Sequence, residues 1–190
     1  QKQLSECSNG LPNLQELSRD NIHQLTISSG DTVTKPGWVQ ILSGYNAAAT
    51  GTYSNQIFRP LPEGYSIFEK LEEYFGDQNI ETVFIAGKDG NLGDNCDNRQ
   101  KTKGEPWCIT KDSLDYFKNG LGDNQNVGQA ALDLLNKNQN QPFFAFVHFQ
   151  EPDHVGHQYG ENSQEYSRAI IDDDVWLGKI VNRLKELDLY

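Results

Sequence analysis

Residues 142–149, Pro-Phe-Phe-Ala-Phe-Val-His-Phe, make an almost unbroken apolar run. A strand with one wet face alternates apolar and polar side chains. A strand that is apolar at every position must be covered on both faces, as strands inside a parallel sheet are. Residues 142–149 are therefore expected to form a central parallel strand. The run Thr-Val-Phe-Ile-Ala-Gly at 82–87 reads the same way, and 22–27 reads as a third strand with Ile22, Leu25 and Ile27 among polar residues.

Helical patterns separate and follow these runs. Leu11, Leu14 and Leu17 recur at three-residue steps behind the Gly10 breaker, with Pro12 near the start. Ser66 and Glu69 have the capping-box spacing, and Ile67, Phe68, Leu71 and Phe75 make one face. A helix over 127–135 turns Val127, Ala130, Ala131, Leu134 and Leu135 inward. A last, long helix is capped by Asn162 with Glu165 three residues on, and it reaches about Leu187. Ile170, Leu177, Ile180, Val181 and Leu184 form its stripe. Asp174 falls in that stripe beside Asp172 and Asp173, and reads as a structural carboxylate at the solvent boundary or accepting hydrogen bonds. Alternation of this kind predicts an α/β fold: a doubly wound, mostly parallel sheet with helices on both faces. At 190 residues, with neither internal repeat nor low-complexity linker, the chain is read as a single α/β domain over 1–190.

Charge and cysteines narrow the function classes. A net charge of −11 argues against a nucleic-acid backbone as main partner. It does not forbid a small phosphorylated substrate, because a metal ion reverses the field locally. No apolar run approaches the ~20 residues of a membrane-spanning helix. The chain starts at Gln1 and lacks methionine, so a processed or partial polypeptide is expected. Of Cys7, Cys96 and Cys108, the last two bracket a polar, turn-rich stretch within a loop insertion at 88–110. A Cys96–Cys108 disulfide would staple that loop and imply an oxidising compartment, and two buried thiols are the alternative. There is neither a Cys-x-x-Cys pair nor an N-glycosylation sequon.

The stretch 31–44, Asp-Thr-Val-Thr-Lys-Pro-Gly-Trp-Val-Gln-Ile-Leu-Ser-Gly, reads as a loop entering a helix. Pro36 suits the first turn, Val39, Ile41 and Leu42 supply an apolar face, and Gly44 closes it. Thr34 is then expected just before the helix, where unpaired N–H groups and the positive dipole end favour an anion. A hydroxyl so placed serves as a plain N-cap or as a nucleophile toward a phosphate or sulfate ester. Residues 45–65 follow as a long aperiodic loop of functional character.

Asp153 and His157 lie four apart in an expected loop after the 142–149 strand, and offer one hard oxygen and one imidazole nitrogen, a pair suited to zinc or a similar ion. His148 reads as a packed strand residue, His154 as a supporting group or none, and His23 as a surface residue. In parallel sheets ligands bind beyond the carboxyl ends of strands. The Thr34 and Asp153 loops both leave such ends, so they are expected to face one cleft. A metal ion beside Thr34 would lower the hydroxyl pKa and neutralise a phosphate.

Thr34-Lys35-Pro36-Gly37, Leu42-Ser43-Gly44-Tyr45, Gly51-Thr52-Tyr53-Ser54-Asn55, Pro62-Glu63-Gly64-Tyr65-Ser66-Ile67-Phe68-Glu69 and Pro152-Asp153-His154-Val155-Gly156-His157-Gln158-Tyr159-Gly160 together resemble the alkaline phosphatase superfamily, in its type I phosphodiesterase/nucleotide pyrophosphatase-like branch. The resemblance implies a doubly wound α/β fold and two divalent metal ions, usually zinc. It puts Thr34 at the nucleophile position, also ligating one metal, with Lys35 and Gly37 against the substrate. Asp153 and His157 match two ligands of the other metal. The family's first metal Asp lies before this stretch, and its later Asp-His pair and final His lie beyond it. The chain is thus expected to be the N-terminal and central portion of a larger catalytic domain working outside the cytoplasm. Gly37 stands where nucleotide pyrophosphatases place Asn, and Trp38 where His is common. The expected activity is metal-dependent hydrolysis of phosphodiesters or phosphomonoesters through a threonine. Sulfatases use Cys or Ser there. The alternative is a non-catalytic binding or assembly module on the same fold.

Overall fold

The computed structural model describes residues 10–20, 24, 32–89, 114–137 and 141–190. The expected strand at 22–27, His23, the three cysteines and nearly all of the 88–110 insertion lie outside the described residues. Three strands form one sheet: β1 (Glu81–Ala86), β2 (Tyr116–Lys118) and β3 (Phe143–His148), in the order β2-β1-β3, every pairing parallel. The helices are α1 (Pro12–Asp20), α2 (Thr34–Ser43), α3 (Ala47–Thr50), α4 (Ile67–Phe75), α5 (Asn124–Lys137), α6 (Glu151–Tyr159) and α7 (Gln164–Glu186), with a 3-10 turn at Asp77–Asn79. None is long and apolar enough to cross a membrane among the described residues.

Strand alternation divides the core in two. Phe84, Ala86, Phe144, Phe146 and Phe117 face α2 and α4, where Val39, Leu42, Leu61 and Phe68 complete a buried cluster. Val83, Ile85, Ala145, Val147 and Tyr116 face α5, with Ile180 of α7 beyond. Both faces are covered, so the fold is α/β and doubly wound, as the apolar runs require.

The register aligns Phe117, Phe84 and Phe146 across the three strands. Their rings stack: Phe84 is 5.1 Å from Phe117 and 5.7 Å from Phe146 between centroids, with interplanar angles of 10° and 17°. Each such pair adds roughly 1 kcal/mol beyond its buried area.

β1 is central among the described strands, with five of its six residues buried, and β3 pairs with it in parallel and is half-buried throughout. β2, with Tyr116 and Phe117 followed by Lys118, is too short to give a period that sequence reading could detect.

Helix ends follow local chemistry. Ser66 and Glu69 form the expected capping box. Gly44 closes α2 at φ 73°, a left-handed conformation glycine adopts without strain. Ser163, rather than Asn162, caps α7, accepting from the Tyr166 N–H. The 45–65 stretch is interrupted by α3, capped by Asn46.

Asp174 is buried and accepts hydrogen bonds. Its Oδ2 takes the N–H of Asn13 at 3.1 Å and Asn13 Nδ2 at 2.9 Å, and its Oδ1 takes the N–H of Leu14 at 2.8 Å. A carboxylate on α7 thus supplies the N-terminal cap of α1, which has no acidic residue in its own first turn. Asp174→Ala leaves these donors unpaired and is expected to destabilise the protein by about 2–3 kcal/mol. Urea unfolding is the measurement. A loss below about 0.5 kcal/mol would contradict this account.

Candidate functional site

Parallel strands that end together leave an apolar sheet whose carboxyl edge is open to polar groups. Lys88 follows β1 by two residues and α6 begins three residues after β3, so both project from this edge. Close packing there needs glycine: a Cβ at Gly87 would lie 2.7 Å from the Gly122 carbonyl oxygen.

Lys88 Nζ donates to Asp153 Oδ2 at 2.9 Å. His157 Nε2 lies 3.6 Å from Asp153 Oδ1. Asp153 and His157 sit on one face of α6, four residues apart, rather than in the expected loop. Pro152 starts that helix without losing a hydrogen bond, and Gly160 ends it. Partial burial pushes the Asp153 carboxyl up, but the Lys88 hydrogen bond and charge, with His157 and His148, hold it below the usual carboxylate value.

His148, the last residue of β3, is held neutral. Burial first, then the nearby Lys88 charge, lowers it to about 4 against the opposing pull of Asp153. Its Nδ1 finds no partner among the described residues. Trp38 packs edge-on against the His148 ring at 4.6 Å and also against Phe84 and Phe146. Trp38 lies one turn beyond Thr34 in α2, and α6 begins three residues after His148.

Thr34 is the first residue of α2, not the residue before it, and Val33 is the N-cap, without a side-chain cap bond. Pro36 therefore occupies the third position of the first turn, where its missing N–H is still no loss. The distant Asn55 does the capping: its Oδ1 accepts the Lys35 N–H at 2.8 Å. Only the oxygen can accept, so the amide is oriented with its Nδ2 donors turned elsewhere. Lys35 is buried, its Nζ donating to the Asn55 carbonyl at 3.0 Å and lying 3.5 Å from the centre of the Phe58 ring. The Gly37 N–H is used within the helix, on Val33 O. A Cβ at Gly37 would meet nothing within 4 Å among the described residues.

Among the described residues no group of three or more His, Cys, Asp and Glu side chains could hold a metal ion. Asp153 and His157 have the donor chemistry for a zinc-class ion, and their spacing on one helix face suits two ligands of a set of three or four.

A second group of carboxylates borders the same edge. Asn124, the buried first residue of α5, gives Nδ2 to Asp172 at 3.2 Å and also to Asp173. Its Oδ1 has no partner among the described residues. Burial, and then the Asp172 and Glu151 charges, push Asp173 up to about 7 despite the Asn124 hydrogen bond. Glu151 is raised by burial, with Asp172 and Asp123 adding to it.

Sequence reasoning does not find Lys88, Asn55 or Asn124. Lys88 carries a signal, a lysine directly after a strand-ending glycine. Asn55 is twenty residues from the N–H it caps, and no local pattern announces such a bond.

The family model described as type I phosphodiesterase / nucleotide pyrophosphatase matches residues 1–190. No curated protein matches the chain.

Because Asp173 binds its proton more tightly folded than unfolded, its contribution is fully present below the unfolded value of 3.8 and is lost as pH rises through about 7. Asp173→Asn keeps an acceptor for Asn124 without the charge. It is expected to stabilise the protein by about 1 kcal/mol at pH 8, after discounting for solvent screening, with no gain at pH 4. Melting curves of both proteins across this range check it. Equal differences at the two pH values would refute it.

Proposed function

The chain belongs to the type I phosphodiesterase / nucleotide pyrophosphatase family of phosphoester hydrolases, and we propose from that premise that it hydrolyses phosphate esters through Thr34. One observation carries this reading. α2 begins at Thr34, with Val33 as its N-cap, and the Lys35 amide is capped from a distance by Asn55, so the Thr34 hydroxyl is not spent as an N-cap. A helix N-terminus with an uncommitted hydroxyl and an oriented carboxamide beside it suits an anionic ester.

In this mechanism the Thr34 oxygen attacks phosphorus, the bond to the alcohol breaks, and the alcohol leaves with a proton. Water then cleaves the phosphothreonine, releasing the phosphate and restoring the hydroxyl. Asn55 donates from Nδ2 to a non-bridging oxygen as charge builds there. Lys35, gripped by the Asn55 carbonyl and Phe58, fixes the Asn55 segment against α2 and adds a positive charge. Gly37 leaves room for the substrate. Asp153 and His157 would hold one of two divalent ions, zinc by their donor types, with Thr34 ligating the other. Bound metal supplies neutralisation of the phosphate charge and a lower hydroxyl pKa.

The test uses the intact natural polypeptide with zinc and bis(p-nitrophenyl) phosphate. Turnover should fall at least about a thousandfold in Thr34→Ala and about a hundredfold in Asn55→Ala, and a chelator should abolish it. Undiminished turnover in Thr34→Ala would sink the mechanism. Absence of turnover in the zinc-loaded parent would favour the non-catalytic module.

A further inference from the structure

A cavity of about 290 Å³ opens on the flank of α2, between that helix, α3 and the chain leaving α3. Pro36 of the first turn and Tyr53, two residues before Asn55, both line it. The two segments that hold Thr34 and Asn55 therefore also bound this space. No Asp, Glu, Lys, Arg or His is among its lining residues, in a chain where 23% of residues are charged.

An uncharged lining does not bind a phosphate, whose desolvation needs charge or several N–H donors. It suits a neutral group. Val39, Pro36 and Ala47 give it an apolar base. Around that base stand neutral hydrogen-bonding groups. The Gln40 carboxamide makes no hydrogen bond among the described residues, and Asn46 commits Oδ1 to the Ala49 N–H at 3.1 Å, which leaves its Nδ2 donors. The Tyr53 ring is half exposed. Carboxamides that donate and accept within a few ångström match hydroxyl groups, which do both. An aromatic face packs against the C–H face of a saturated ring. The volume is at the small end of the ~300–1,000 Å³ usual for ligand clefts, enough for one ring and too little for a lipid chain or a dinucleotide.

We propose that this cavity receives the alcohol that stays on phosphorus when the other ester bond of a phosphodiester breaks, and that this alcohol is a single uncharged polyhydroxylated ring, a sugar or cyclitol. The proposal rests on the Thr34 reading for its link to catalysis. Gln40 and Tyr53 are then specificity-determining residues, and the phosphate stays at the α2 N-terminus.

Two p-nitrophenyl phosphodiesters test it on the intact natural polypeptide, one of methyl α-D-glucoside and one of ethanol. The glucosyl ester should be preferred in kcat/KM, and Gln40→Leu and Tyr53→Ala should each cut the glucosyl-to-ethyl ratio about tenfold. Saturation-transfer NMR with methyl α-D-glucoside and with adenosine reads the cavity without turnover. A saturation-transfer signal from the sugar that disappears in Gln40→Leu supports the proposal. A stronger signal from adenosine, or a ratio and a sugar signal that neither variant changes, overturns it. If Thr34→Ala hydrolyses both esters undiminished, the Thr34 reading fails by itself, and the NMR comparison still decides the cavity.

Discussion

The stacked row Phe117–Phe84–Phe146, with Trp38 lying edge-on over it, is the contact on which the candidate site depends. Parallel pairing in register puts identical rings opposite one another on neighbouring strands, and that alignment holds only if none of the strands slips. A one-residue slip of β3 would turn Phe144 and Phe146 to the α5 face and Ala145 and Val147 to the α2 face. The aromatic face therefore fixes register, and register fixes where each strand ends. Because Trp38 rests on Phe84, Phe146 and His148 at once, the position of α2 along the sheet is set by the same rings.

Two consequences follow at the carboxyl edge. Lys88 leaves β1 and α6 leaves β3 at matched heights, so the Lys88–Asp153 ion pair joins the ends of adjacent strands. α7 then ties α5 to α1 through two neighbouring groups: Asp174 caps α1, and Asp172 with Asp173 holds Asn124 at the start of α5. Three consecutive aspartates thus serve two different helix starts. One is buried with several donors, and another is crowded by like charges and held well above the usual carboxylate value.

The parts legible in sequence are those with a repeating physical signal. The runs at 82–87 and 142–149 reveal two strands and their coverage, and apolar periodicity reveals α1, α4, α5 and α7. The capping box at Ser66 and the glycine ending α2 are readable from single residues whose conformational demands are local. What escapes such reading is non-local. The order in which strands pair depends on partners that the runs themselves do not encode. Pro152 and Gly156 look like turn residues and point to a loop for Asp153 and His157. Yet Pro is favoured in a first helical turn, and Gly156 packs close to the Tyr166 ring of α7. Thr34 is a good capping residue, which argues for a place one position before the helix, while the capping is done by Asn55 across the fold.

An acidic protein that handles a phosphate ester has to keep positive charge where the ester binds. In this chain two of the lysines are withdrawn from solvent beside the candidate site residues. Lys35 is buried beside the α2 N-terminus, and Lys88 is largely covered at the end of β1. Each is held by a specific acceptor, the Asn55 carbonyl and the Asp153 carboxylate. A lysine fixed in a partly desolvated position exerts a less screened field than one moving freely at the surface. The Lys88 charge already lowers both Asp153 and His148, keeping the first ionised and the second neutral. The two oxygens of Asp153 divide its contacts, Oδ2 accepting from Lys88 and Oδ1 facing His157, so the ion pair at the end of β1 leaves one carboxylate oxygen directed along the α6 face.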